Sequence, residues 1–185
     1  MGWMAIPAGV LFGLALVLLA AFFRTRDERL DRVATWAFVA FAVLAIPVML
    51  TVKDRLGASD PAGTGLTAAG IVGVSVLGLA EAATGLKLVD FRRVALATTI
   101  AFLLFLAWIG GVSLMLVASA APALPANLGW LGLISIVAGF AIILRIMRRP
   151  GVITGDREPG QLEMTVLFLP LAGMVAWLAW LGLLL

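Results

Sequence analysis

One carboxylate, Glu81, stands inside the run GIVGVSVLGLAEAATGLKLVDFRR (70–93), among small and aliphatic residues otherwise fit to cross a membrane. A carboxyl group withdrawn from water takes up a proton or finds a cation. The first outcome makes Glu81 a protonatable element for transport or sensing. The second makes it half of an intramembrane ion pair. Arg145, in GFAIILRIMRR, is the expected partner because it lies at a similar depth near the inner end of a parallel apolar run; Lys87 and Arg92 are the next choices. Ser75, Gly78, Glu81, Ala82 and Gly85 recur at helical spacing on one stripe. Small residues let a neighbouring helix come close, so Glu81 is expected to point into a helix–helix contact.

Other chemistry is scarce. The chain has no cysteine and no histidine, which removes thiolate ligands, disulfides, cysteine nucleophiles and the usual general base near neutral pH. Neither GTG (63–65) nor GDREPG (155–160) carries the lysine or the glycine spacing of a phosphate-binding loop. Asp27, Glu28 and Asp31 are interleaved with arginines that compete for their oxygens, and Asp54 and Asp60 flank no cation site. Neither a cofactor nor a metal is expected.

Composition names the solvent in which these groups must be positioned. Of 185 residues, 63% are hydrophobic and 12% charged, against about 45–50% apolar and about 25% charged in a soluble domain. One water-soluble core of this size does not hide that much apolar surface, so the excess faces lipid. Apolar runs near the ~20 residues that cross a bilayer fall at 3–23, 34–52, 66–85, 94–118, 128–147 and 164–185. Each is continuously apolar without alternation, which predicts helices and not barrel strands. The fold expected is therefore all-α: one polytopic domain over 1–185 with six transmembrane helices. The first run has its arginines after it and none before it, so it reads as a retained helix.

Charge gives the direction of threading. Arg24, Arg26, Arg29 and Arg32 fall in one connection, Lys87, Arg92 and Arg93 in a second, and Arg145, Arg148, Arg149 and Arg157 around a third; only Lys53 and Arg55 lie on the other side. Basic residues collect on the cytoplasmic face. Connections 24–33, 86–93 and 148–163 are thus expected inside and both termini outside, in a bacterial plasma membrane. The net charge of +3 is no nucleic-acid signal, because it is spread over short connections. RTRDERLDR (24–32) places Arg24, Glu28 and Arg32 at four-residue steps, which suggests a helix running past the membrane surface. Trp3, Trp36 and Trp130 fall near span ends as interfacial anchors, Trp177 and Trp180 share a face near the end of the last run, and Trp108 falls mid-span as a packing residue.

Two functions from different classes fit these features. A polar-poor interior with small-residue faces suits a non-catalytic accessory or scaffolding subunit, whose partners are the bilayer and other membrane subunits or copies of itself. Three spans plus three suit a small transporter or channel working as an oligomer, with Glu81 as its ionisable element.

Overall fold

The computed structural model describes residues 2–57, 61–118, 124–147 and 161–185, with side chains omitted at 2, 91–92, 142–147 and 161–169. It is all-helical. After a single 3-10 turn at Gly2–Met4 come α1 (Ala5–Thr25), α2 (Glu28–Arg55), α3 (Pro61–Gly85), α4 (Phe91–Ala118), α5 (Ala126–Met147) and α6 (Gln161–Leu184). Four of the helices, α1 to α4, are long and apolar enough to cross a membrane. Among the described residues, α5 and α6 offer shorter apolar stretches, Ala126–Ala141 and Pro170–Leu184.

Short connections force consecutive helices to run antiparallel. Each helix packs on its neighbours in the chain, and α6 closes against α1, so the six form a ring. Arg55 Nη2 donates to the Leu185 carbonyl at 3.1 Å, which ties the end of α2 to the end of α6.

The ring closes tightly because glycines seat the contacts. A methyl group built on Gly73 of α3 would stand 2.6 Å from the Ala101 carbonyl oxygen of α4. On Gly9 of α1 it would stand 3.2 Å from the Ala179 nitrogen of α6, and on Gly182 it would meet Ile6 at 2.6 Å. Gly132 of α5 receives Ser113 of α4, and Gly173 of α6 receives Ser135 of α5. Where hydrocarbon surrounds the helices there is no hydrophobic drive between them, so close backbone approach is the main source of attraction.

The centre of the ring is filled with aromatic side chains. Phe12 of α1, Phe41 of α2, Phe105 and Trp108 of α4 and Trp177 of α6 are all at most 1% exposed. Their rings touch in series: Phe12–Phe41 at 4.8 Å, Phe41–Phe105 at 5.5 Å, Phe105–Trp108 at 6.3 Å and Trp108–Trp177 at 5.8 Å, the last edge to face. Offset and edge-on pairs at such distances add to the gain from burial.

Several local expectations need correction. The 24–32 stretch is not one continuous helix. Arg26 takes the left-handed conformation (φ 60°), its N–H donates to the Phe22 carbonyl, and Asp27 then caps α2 by accepting from the Arg29 N–H at 2.9 Å. Arg24 and Glu28 therefore belong to different helices and do not form the expected step. An N-cap aspartate satisfies a free N–H of the first turn, which explains why α2 restarts at that point. Trp177 and Trp180 also part company: Trp177 is fully buried in the centre, while Trp180 is 36% exposed. Three residues turn a helix by about 300°, enough to put one ring inside and the other at the edge. Trp108 is a packing residue, and Trp3, Trp36 and Trp130 are exposed. The connection expected at 148–163 falls largely outside the described residues.

Candidate functional site

Glu81 sits on the seam between α3 and α2. Its stripe is laid against α2 by two glycines: a methyl group on Gly78 would stand 2.8 Å from the Ala42 Cβ, and one on Gly85 would stand 2.9 Å from the Thr35 Cγ2. Both contacts pair residue numbers that fall on α3 as they rise on α2, as antiparallel helices require. Between them the Glu81 side chain is half-buried. The Thr35 hydroxyl, on a residue 8% exposed, faces its carboxyl group as hydrogen-bonding partner.

Among the described residues, the charge that acts on Glu81 is of the wrong sign for an ion pair. Asp31, one turn before Thr35 on α2, acts on Glu81 as a like charge. Partial burial, and after it the neighbouring Glu28 carboxylate, raise the Asp31 carboxyl above its ordinary range. Among the described residues, no cation lies against Glu81. The Arg145 and Arg92 side chains lie outside the described residues. Among the described residues, the α5 helix that carries Arg145 packs on α4 and α6.

The other members of the stripe take different surroundings. Gly78 is buried, whereas Ser75, Ala82 and Gly85 are half-buried. A second set of small residues, Gly70 and Gly73, faces α4, where a methyl group on Gly70 would stand 2.7 Å from the Trp108 Cγ. So α3 carries two glycine seams: one toward α4 along its first half, one toward α2 along its second. The polar group belongs to the second.

Thr35 was not legible as part of this site from sequence alone. Its signal is a seven-residue step to Ala42, which places both on the face of α2 that meets α3. That step acquires meaning only once α2 and α3 are known to touch.

Elsewhere on the helices, several of the described hydroxyl groups bond to their own helix. Thr25, Thr51, Thr67, Thr84, Thr99 and Ser135 each donate back to the carbonyl four residues earlier. Among the described residues, four buried atoms have no partner: Thr98 Oγ1, Trp108 Nε1, Ser113 Oγ and Trp177 Nε1. Two of them, Ser113 Oγ and Trp177 Nε1, converge on Gly132. Among the described residues no group of three metal-ligating side chains comes together.

Burial is uneven along the ring. On α1 no residue after Leu16 is fully buried, and on α4 the first described buried residue is Ala101. The dry, aromatic half is thus the one that holds the ends of α2 and α6. Glu81, Thr35 and Thr98 belong to the looser half, beside the basic turns. No protein-family model matches the chain, and neither a curated protein nor a solved structure matches it.

Proposed function

We propose that the chain is a six-span integral protein of a bacterial plasma membrane, with both termini outside, that serves as a non-catalytic accessory or scaffolding subunit of a membrane complex. The observation that carries the reading is the filled ring. Phe12, Phe41, Phe105, Trp108 and Trp177 occupy its centre, and ions or polar solutes need a path of charged side chains or bare carbonyls. The outward faces supply contact surface instead: Val17, Val43, Val72, Leu79, Leu96 and Val137 are each more than half exposed. The basic turns on one end, with Lys53 and Arg55 alone on the other, support the threading.

Two experiments test the reading. The chain has no cysteine, so single-cysteine variants report sidedness without background. Asp54→Cys is expected to react with an impermeant maleimide on intact cells, and Asp90→Cys only after permeabilisation. The reverse pattern overturns the threading. Purification in mild detergent is expected to yield a stable complex with a second membrane protein; a monodisperse preparation of this chain alone overturns the accessory role.

The Glu81 seam favours a second reading, a small transporter or channel acting as an oligomer. A half-buried carboxyl faces Thr35 and a second carboxylate, with no described cation against it, in the looser half of the ring. Reconstituted vesicles would then show proton or cation flux that Glu81→Gln abolishes while assembly persists. Flux unchanged by that substitution removes Glu81 from any such role.

A further inference from the structure

The first turns of α2 carry a feature that neither the filled ring nor the Glu81 seam uses. At about 100° per residue, Arg29, Arg32, Val33, Trp36, Val43 and Leu50 all fall within one third of the helix circumference. All six are exposed, with Val33 at 52%, Trp36 at 44%, Val43 at 63% and Leu50 at 46%. The opposite side holds Ala34, Phe41, Ala45, Val48 and Val52, which are buried. The stripe therefore points directly away from the ring. It begins with two guanidinium groups, passes through an indole about one turn below, and continues as aliphatic side chains.

We propose that this stripe binds an anionic phospholipid, with Arg29 and Arg32 on the headgroup phosphate, Trp36 at the glycerol level and an acyl chain along Val43 and Leu50. The inference rests on the membrane-spanning reading, which sets this end of α2 at the headgroup layer. Two arginines one turn apart present N–H donors to a single phosphate in the forked geometry that guanidinium groups favour. Tryptophan prefers the boundary between headgroups and hydrocarbon.

Of the acidic groups nearby, Asp27 and Asp31 are engaged away from the stripe. The Asp27 Oδ1 accepts the Arg29 backbone N–H at 2.9 Å. Asp31 lies on the α3 side, within electrostatic reach of Glu81, and Glu28 adds its charge to Asp31. Among the described residues neither Arg29 nor Arg32 is held in an ion pair. On the lipid side of the stripe, cations thus outnumber carboxylates.

Native mass spectrometry of the delipidated protein in detergent micelles, titrated with phosphatidylglycerol or phosphatidylcholine, tests the site. The parent is expected to retain phosphatidylglycerol in preference to phosphatidylcholine. At about fivefold per cation near a membrane surface, Arg29→Gln with Arg32→Gln should weaken that binding about 30-fold. Replacement of both by lysine should keep most of it, and Trp36→Leu should weaken both lipids alike. Lys53→Gln, at the other end of α2, should change nothing. Equal retention of the two lipids by the parent, or unchanged binding in the double glutamine variant, overturns the site; so does an equal loss in Lys53→Gln. Displacement of bound lipid by millimolar inorganic phosphate overturns the lipid assignment in favour of a free-anion site. An alkaline wash of membranes separates the two layers of the argument. Protein that stays with the membrane but shows no lipid preference sinks the headgroup site alone, while protein released by the wash sinks the membrane reading as well.

Discussion

Gly73 offers the sharpest test of how the ring is held together. A methyl group there would stand 2.6 Å from the Ala101 carbonyl oxygen and 3.0 Å from both the Leu104 Cβ and the Phe105 nitrogen. Two of the three neighbours are backbone atoms of α4, which no rotamer change moves. Ordinary contact begins at 3.4 Å, so α3 must retreat from α4 by about 0.8 Å, since 3.4 − 2.6 = 0.8. A gap of that size forfeits a quarter to a half of the dispersion energy of each contact it opens. The neighbouring contacts at risk are Gly70 on Trp108 and Leu66 on Gly111. Overpacking of this kind costs about 1–3 kcal/mol, offset by up to about 1 kcal/mol from replacing glycine by alanine in a helix. Gly73→Ala should therefore lose about 0–2 kcal/mol net, near 1 kcal/mol at the middle of that range. Gly65, on the same helix, has nothing within 4 Å of such a methyl group; Gly65→Ala should be neutral or gain up to about 1 kcal/mol. The assay is loss of helical circular dichroism in mixed micelles as the denaturing detergent fraction rises, with both variants and the parent compared in one titration. Equal midpoints for the two variants would refute the idea that close backbone approach holds α3 to α4.

Trp177→Ala should cost about 3–5 kcal/mol in the same titration, and Trp177→Phe clearly less, because the buried Nε1 has no partner to lose; equal losses would show that the N–H is bonded after all. Ser113→Ala removes another unpartnered buried atom and should be neutral or mildly stabilising, whereas a loss above about 1 kcal/mol would mean the hydroxyl has an acceptor. For Glu81 and Thr35, a double-mutant cycle with Glu81→Gln and Thr35→Val should give a coupling of about 0.5–1.5 kcal/mol, and additive effects would separate the two side chains. Asp31 has its carboxyl raised in the folded protein by partial burial and then by Glu28. Above the ordinary carboxylate range the unfolded chain ionises first, so folding stability falls with rising pH through the raised value. The thermal midpoint of Asp31→Asn relative to the parent should accordingly climb from acid toward neutral pH, and a flat difference refutes the shift.

Much of the architecture was readable in the residues. Continuous apolar runs at 3–23, 34–52, 66–85 and 94–118 became four helices fit to cross a bilayer, because a backbone without water bonds within its own segment. Trp108 was readable as a packing residue from its depth in a run. The break at Arg26–Asp27 was not, because the four-residue steps of RTRDERLDR suit a helix and a short aspartate cap leaves little trace among arginines. Nor was the division of Trp177 from Trp180, since two apolar rings on a wholly apolar helix give no periodic signal for which one faces inward.

What the sequence by itself determined is the apolar character and the helical state of its segments, four of them fit to cross a bilayer, since those follow from local composition and from the need of every amide to find a partner nearby. The stripe of Gly78, Glu81 and Gly85 was likewise fixed by helical spacing. Which helix covers that stripe was decided only by the tertiary structure. Ring closure between α6 and α1 leaves α3 between α2 and α4, so the Glu81 carboxyl meets Thr35 and Asp31 of α2. Residues nearly fifty positions apart come together through the fit of one glycine-lined surface against another, and a chain read in one dimension carries no measure of that fit.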